Sequence, residues 1–340
     1  MDFRLDEQQL ELQATVRRFC EARFAPARIR EREGRPVDPA AWREMAELGV
    51  FALLVPAARG GLGLGVIEAA IVFEQLGAHL VNCPALWSTL AAPYLDGAAR
   101  GEQRVGGVER IASFAQRGEA ERRLSDWEEP ILVEHASEID ALLVLGDDGV
   151  FVCAGSDLPA FDMLTPLDPL TPVGRCAALP GGARIGDAED AVRMRLVGTV
   201  LAAAQLLGVS DAALESSRRY ALAREQFGVA IGSFQAIQHI LADMYVRTAL
   251  ARSATWAAAA MIDDPGIGDP LRASATAKLL AGEAALANAR AAIQVHGGIG
   301  YTWEMLPNYL LKRAWVLEQL FGDTDSHAYA ISASIEEALA

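Results

Sequence analysis

No two of the four cysteines, Cys20, Cys83, Cys153 and Cys176, stand at the spacing of a metal site or a redox pair. That excludes a small zinc module and a disulfide framework, and leaves reduced, buried thiols as the expectation. Basic charge is also scarce. The chain has 30 Lys and Arg against 45 Asp and Glu, a net charge of −15. Such a chain repels phosphate backbones and anionic lipid, so neither nucleic acid nor a membrane is expected as a partner. The opening MDFRLDEQQL has no signal-peptide apolar core, and no run of about eighteen apolar residues marks a membrane span. The expected location is cytoplasmic. There is no internal repeat and no low-complexity tail.

Helix-forming apolar residues are abundant. Hydrophobic side chains make up 52% of 340 residues, enough to build two or three packed units. Three regions differ in pattern. Residues 1–101 read as a helical domain: Leu12, Val16 and Phe19 recur at helical spacing behind a capping Asp6, and Asp38-Pro39 opens a second helix that carries Trp42, Met45 and Leu48. An apolar helix from about Val66 to Leu76 is expected to stop at Gly77. Residues 102–190 read as a reduced β-domain, with β-type runs at Ile139–Leu145 and Val150–Cys153 joined by Gly146-Asp147-Asp148-Gly149. Prolines at 159, 166, 169, 172 and 180 break up the rest of that region. Residues 191–340 read as a helix bundle, with long helices over Val197–Arg224, Ser233–Asp263, Pro270–Val295 and Met305–Phe321 and a shorter one from Ser326. The fold class expected is mostly α with a small middle β-domain, α+β.

Two segments carry chemistry. In Arg224-Glu225-Gln226-Phe227-Gly228, continuing to Ile231-Gly232-Ser233-Phe234-Gln235, a helix ends, Gly228 turns the chain, and Ser233 is placed to cap the next helix. An arginine beside a helix N-terminus can hold a phosphate. An ordinary inter-helix loop with a surface arginine has the same composition. In Gln294-Val295-His296-Gly297-Gly298-Ile299-Gly300-Tyr301, glycines end an Ala-rich helix and permit a close approach to a flat or phosphorylated ligand. A plain helix-breaking turn reads the same way. His296 reads as a packed or capping residue.

Together these segments, with Leu241–Met244, resemble the C-terminal domain of the acyl-CoA dehydrogenases. DEQQLELQATVRRF, AELGVFALLVP, GGLGLG and the EQLG of Glu74–Gly77 resemble that family's first helical domain. The resemblance covers about two-thirds of the chain. It implies an N-terminal helical domain, a β-domain and a C-terminal four-helix bundle, FAD as cofactor and an acyl-CoA substrate. It also implies desaturation, with a carboxylate taking the α-proton while the flavin takes the β-hydride. In the family FAD lies across a subunit interface. Carried over residue by residue, its pyrophosphate and adenosine half would be met by Arg224, Gln226, Phe227, Gln235, Gln294, Gly297 and Gly298, acting on the FAD of a neighbouring subunit.

The chain departs from the family in the other half of the site. The family's T-E-P-x-A-G-S-D signature and its later K-x-W/F-I-T-N strand are missing, and the Glu-Pro of the middle region is Glu129-Pro130 in a charged stretch. The usual glutamate base is also missing. Phe321 or Gly322 takes its place in Glu318-Gln319-Leu320-Phe321-Gly322-Asp323-Thr324, and the alternative position on the first bundle helix reads Val197-Gly198-Thr199. Asp323 is the nearest carboxylate, and a turn-forming role suits it. Glu318 and Glu304 read as solvated helix charges. One intact and one eroded half-site is similar to the shortened subunits of actinobacterial two-plus-two heterotetrameric acyl-CoA dehydrogenases of steroid catabolism. The partner expected is a second acyl-CoA dehydrogenase-like subunit. A complete homo-oligomer with a diverged β-domain and Asp323, or a substrate carboxyl, as base, and a non-catalytic scaffold, are the alternatives.

Overall fold

A computed structural model describes residues 4–109, 131–177 and 182–339. Glu129-Pro130 and Pro180 lie outside the described residues. Helices come first, strands in the middle and long helices last, as the mostly α reading expects. By contacts the chain divides into two compact units, Met1–Glu33 with Ala70–Val81 and Thr199–Ala328, and Gly34–Ala69 with Asn82–Gly198 and Tyr329–Ala340.

Helix α1, Glu7–Arg23, starts in a capping box. Asp6 accepts the Gln9 N–H, and the Gln9 side chain accepts the Asp6 N–H in return. Helix α2, Pro39–Glu47, starts at Asp38, whose carboxylate accepts the Ala40 N–H at 3.0 Å. Helix α3 spans Val66–Ala78. It runs through Gly77 rather than stopping there. Two short helices, α4 at Ala85–Ala91 and α5 at Asp96–Ala99, come next.

In the middle region β1 is Val105–Glu109, β2 Ile131–Glu134, β3 Ala141–Leu145, β4 Val150–Ala154, β5 Asp162–Leu164, β6 Val173–Cys176 and β7 Ala183–Gly186. They form a four-stranded sheet, β1-β3-β4-β7, and a three-stranded one, β2-β6-β5. The β3–β4 hairpin closes where the sequence places it, with Gly146 N–H donating to the Gly149 carbonyl at 2.9 Å. Val108, Val133, Ala136, Leu142, Val144 and Cys153 form a buried cluster between these strands. Gly107 is required on β1, because a Cβ would fall 2.1 Å from the Trp87 ring of α4.

Helix α6, Ala188–Ala223, leads into strands β8, Glu225–Gln226, and β9, Val229–Ala230. Then come α7, Gln235–Asp263; α8, Pro270–His296; α9, Leu306–Gln319; and α10, Thr324–Leu339. Asp269 caps α8 by accepting from Leu271 and Arg272, ahead of Pro270 at its first position. Helix α6 is long and apolar enough to cross a membrane by length and composition, although polar residues interrupt its apolar run. Of its most apolar window, 78% is buried, as in a core helix.

Small residues let α3 and α6 touch backbone to backbone. A Cβ on Gly77 would lie 2.1 Å from the Gln205 carbonyl oxygen, and one on Gly208 2.0 Å from that of Glu74. The crossing explains why Gly77 sits inside α3: it serves helix packing, not chain reversal. Beside it, Arg252 of α7 reaches Glu74 at 2.9 Å and Asp211 at 3.0 Å. Burial pushes the Glu74 carboxyl upward in pKa, and Arg252 opposes that shift. Deeper in the bundle, Asn288 of α8 donates to Ser210 Oγ of α6 at 2.8 Å, and to the Met244 carbonyl and Thr248 Oγ1 of α7 at 3.0 Å.

Candidate functional site

After α6 the chain reverses through a two-residue hairpin. Gln226 pairs with Val229 and Glu225 with Ala230. The loop residues Phe227, at φ 56°, and Gly228, at φ 80°, are both left-handed, as a type I′ turn requires. Glycine adopts that region freely, but a residue with a Cβ pays roughly 1–2 kcal/mol. Phe227 is nonetheless 93% exposed. Its ring stands edge-on to Phe234 at 6.2 Å. The Phe234 edge is a small return for that backbone cost, since most of the ring faces solvent.

Arg224 lies at the base of this hairpin. Its N–H donates to the Tyr220 carbonyl and its own carbonyl accepts from Ile231, both at 2.8 Å. Its side chain is exposed, as are those of Gln226 and Gln235. Gln226 Nε2 donates back to the Glu225 carbonyl at 2.8 Å. Ser233 does not cap α7. Its hydroxyl is spent on the Ala230 carbonyl at 2.7 Å inside a 3-10 turn, Ile231–Ser233, so the N-cap becomes Phe234, with no capping side chain. No side chain caps the first turn of α7, where the Ile237 and Gln238 N–H groups donate back to the Phe234 carbonyl.

The glycine segment closes α8. Gln294 is exposed. Gly297 forms the C-cap at φ 67° and donates to the Gln294 carbonyl. Gly300 is needed for packing, since a Cβ would meet His296 at 2.8 Å. Gly298 has neither reason. Its φ is not left-handed, and no atom of the chain lies within 4 Å of where a Cβ would stand. A glycine without an internal neighbour leaves room for something outside the chain.

His296 joins the two segments. Its ring stacks on Tyr220 of α6 at 4.2 Å, Nδ1 meets the Ala292 carbonyl at 2.7 Å, and Nε2 reaches Ser216 Oγ at 3.4 Å. Burial lowers its pKa, against the opposing pull of the Ala292 carbonyl, and both ring nitrogens have partners. Tyr220 is one turn before Arg224, and His296 immediately precedes Gly297. One end of the bundle thus presents an exposed guanidinium, an exposed ring, an uncapped helix start and an open glycine bend. That set can hold the anionic, flat end of a nucleotide.

The turn between α9 and α10 offers no free base. Phe321 is buried at φ 56° and Gly322 sits at φ 90°. Lys278, fully buried on α8, donates to the carbonyls of Glu318 and Gly322, each at 2.8 Å. His327 Nε2 meets the Phe321 carbonyl at 2.8 Å. Asp323 accepts from the Ser326 N–H at 2.8 Å and from its hydroxyl; these bonds lower its pKa and weaken it as a proton acceptor. Glu318 is not solvated. It is buried and accepts from the Thr324 N–H at 2.6 Å, tying α10 to α9. Glu304 is exposed. Thr199 is buried and brings no carboxylate. Sequence reasoning missed Lys278 and the Phe-Gly hairpin. The first had one signal, a lone lysine in an alanine-rich helix; the second had two-residue flanks, too short to read as strands.

The family model of the acyl-CoA dehydrogenase N-terminal domain matches residues 6–114, and that of the C-terminal domain residues 196–336. The chain is 31% identical to acyl-CoA dehydrogenase IpdE2 of Mycolicibacterium smegmatis, over 94% of this chain and 96% of that one. It is 32% identical to acyl-CoA dehydrogenase IpdE2 of Mycobacterium tuberculosis, over 93% of each. In three dimensions it resembles a chain of the ChsE4-ChsE5 complex from Mycobacterium tuberculosis, with a TM-score of 0.83, 25% identity and 99% of both chains covered.

Proposed function

The chain belongs to the acyl-CoA dehydrogenase family, an oxidoreductase with FAD as cofactor, and from that premise we propose that it lends the nucleotide half of an FAD site to a second, unlike subunit. That partner carries the flavin pocket and the catalytic base. When bound, FAD supplies the hydride acceptor for desaturating an acyl-CoA thioester. This chain's residues bind and orient. Arg224 neutralises diphosphate charge, and the uncapped start of α7, with Gln235, adds N–H donors. Phe227 and Gln226 project from the hairpin toward the same ligand. Gln294, Gly297 and Gly298 give the adenosine side a close backbone approach.

The carrying observation is the contrast between two ends of the bundle. The hairpin and glycine bend hold features with little internal use: a strained, mostly exposed ring and a glycine facing empty space. The α9–α10 turn is filled by the chain's own bonds, and its nearest carboxylate is already committed to Ser326. The signature that holds the isoalloxazine in the family is missing from residues 102–190. The structural relative is itself a complex, of ChsE4 with ChsE5, which supports an unlike partner. The resemblance to shortened heterotetramer subunits supports a steroid-derived acyl group.

Co-expression with a neighbouring dehydrogenase gene, and then native mass and flavin content, tests the reading. The complex should contain both chains and FAD, and the lone chain little flavin. Arg224→Ala in the complex should weaken FAD retention about tenfold or more, since an arginine–phosphate contact is worth roughly 1.5–3 kcal/mol. A yellow, stoichiometric and active lone chain would overturn it, as would unchanged flavin in the Arg224→Ala complex.

A further inference from the structure

Residues 222–229 are all exposed. The hairpin that carries Arg224, Gln226 and Phe227 therefore stands out from the end of α6, with the Phe227–Phe234 edge as its ring contact. A helix end frays unless something holds its last turn. A guanidinium on a loose end spreads over many positions, and ordering it again costs affinity for a fixed diphosphate.

His296 supplies a hold. Ser216, Tyr220 and Arg224 follow one another at four-residue intervals, so they form one stripe along α6 and its end. The His296 ring engages the first two. It stacks on Tyr220 at 4.2 Å with 24° between the planes, and its Nε2 lies 3.4 Å from Ser216 Oγ. The third, Arg224, donates its N–H to the Tyr220 carbonyl at 2.8 Å. The ring itself is pinned to α8. Nδ1 meets the Ala292 carbonyl at 2.7 Å; a carbonyl only accepts, so Nδ1 carries a hydrogen and Nε2 faces Ser216. On its other side Gly300 folds against His296, where a Cβ would come within 2.8 Å. One buried imidazole thus touches both segments of the nucleotide site.

We propose that His296 and Tyr220 are positioning residues for that site. The stacked pair fixes the end of α6 against the glycine bend, and so sets where Arg224 stands relative to Gly298. The inference rests on the flavin reading above and adds to it a pair that acts through Arg224. If packing were its whole role, the pair would stabilise the bundle and leave the guanidinium's grip unchanged.

The test is a double-mutant cycle on FAD affinity in the co-expressed complex, with thermal unfolding beside it. Arg224→Ala supplies the second background. Tyr220→Leu removes the stacked face, and His296→Asn keeps a donor toward Ala292 while losing the ring. An aromatic pair of this kind is worth about fivefold in an equilibrium. Each variant should weaken FAD binding about fivefold in the wild-type background and less than about twofold in Arg224→Ala, since a missing guanidinium has no place to keep. Tyr220→Phe, which keeps the ring face, should stay within about twofold of wild type. Equal losses in both backgrounds overturn the proposal, because they mark a merely structural pair. So does FAD affinity unchanged in both variants. His296→Asn covers a Tyr220→Leu chain that fails to assemble. Unchanged FAD affinity in Arg224→Ala alone sinks the flavin reading itself, and the positioning role falls with it. A clear Arg224→Ala defect beside additive losses removes the positioning role and leaves that reading standing.

Discussion

Phe227 holds a backbone angle that glycine prefers, and its ring still faces water. Phe227→Gly should therefore leave the chain as stable or up to about 1 kcal/mol more stable, the relief of strain offsetting the entropy of glycine. It should also lower flavin retention in the complex. Urea unfolding read beside flavin absorbance separates the two effects. Gly298→Ala makes the same kind of test. With no atom of the chain within 4 Å, the methyl should change stability by less than about 0.5 kcal/mol and yet reduce FAD retention. His327 gives a pH dependence. Burial, and then the nearby Lys278 charge, lower its pKa from 6.5 to about 4. Between those values the unfolded chain binds the proton and the folded chain does not. Its contribution to stability is thus whole above pH 6.5 and declines as pH falls toward 4, by up to about 3 kcal/mol. Denaturant midpoints at pH 7 and pH 5 should show the slope, and His327→Gln should flatten it.

Among the elements, helices with explicit ends are legible from the sequence. Asp6 with Gln9, Asp38 with Pro39, and the Gly-Asp-Asp-Gly hairpin each use local hydrogen bonds, and local chemistry is written in neighbouring letters. Gly77 and Ser233 mislead for the opposite reason. The role of Gly77 is set by Gln205, far along the chain, and the hydroxyl of Ser233 finds a nearer carbonyl than the helix start beside it. Glu318 and Lys278 are illegible as buried groups because their partners lie beyond their own helices. Motif resemblance names the residues of the candidate site, but the strain at Phe227 and the open space at Gly298 show only in three dimensions. Two substitutions probe how the elements are joined. Gly208→Ala would drive a methyl to 2.0 Å from the Glu74 carbonyl oxygen and should destabilise the chain by about 3 kcal/mol or more. Asn288→Ala removes donors shared among α6, α7 and α8 and should cost about 1–3 kcal/mol, measured by thermal unfolding.

For the whole molecule, the sequence order of helices, strands and helices predicts the observed architecture, because hydrophobic period and turn chemistry change together along the chain. The number of chains in the working enzyme is a question of surfaces. Two such surfaces are the exposed hairpin ring and the open glycine bend. The locked turn at Phe321-Gly322 carries one further consequence. A glutamate placed at either position would not by itself make a proton acceptor. At Gly322 the newcomer would inherit a left-handed backbone with His327 3.2 Å from its Cβ; at Phe321 it would replace a ring the interior already encloses. Lys278 would still hold the carbonyl at 322. A proton acceptor there would need the lysine, the histidine and the turn rebuilt as a set, which no single codon change supplies.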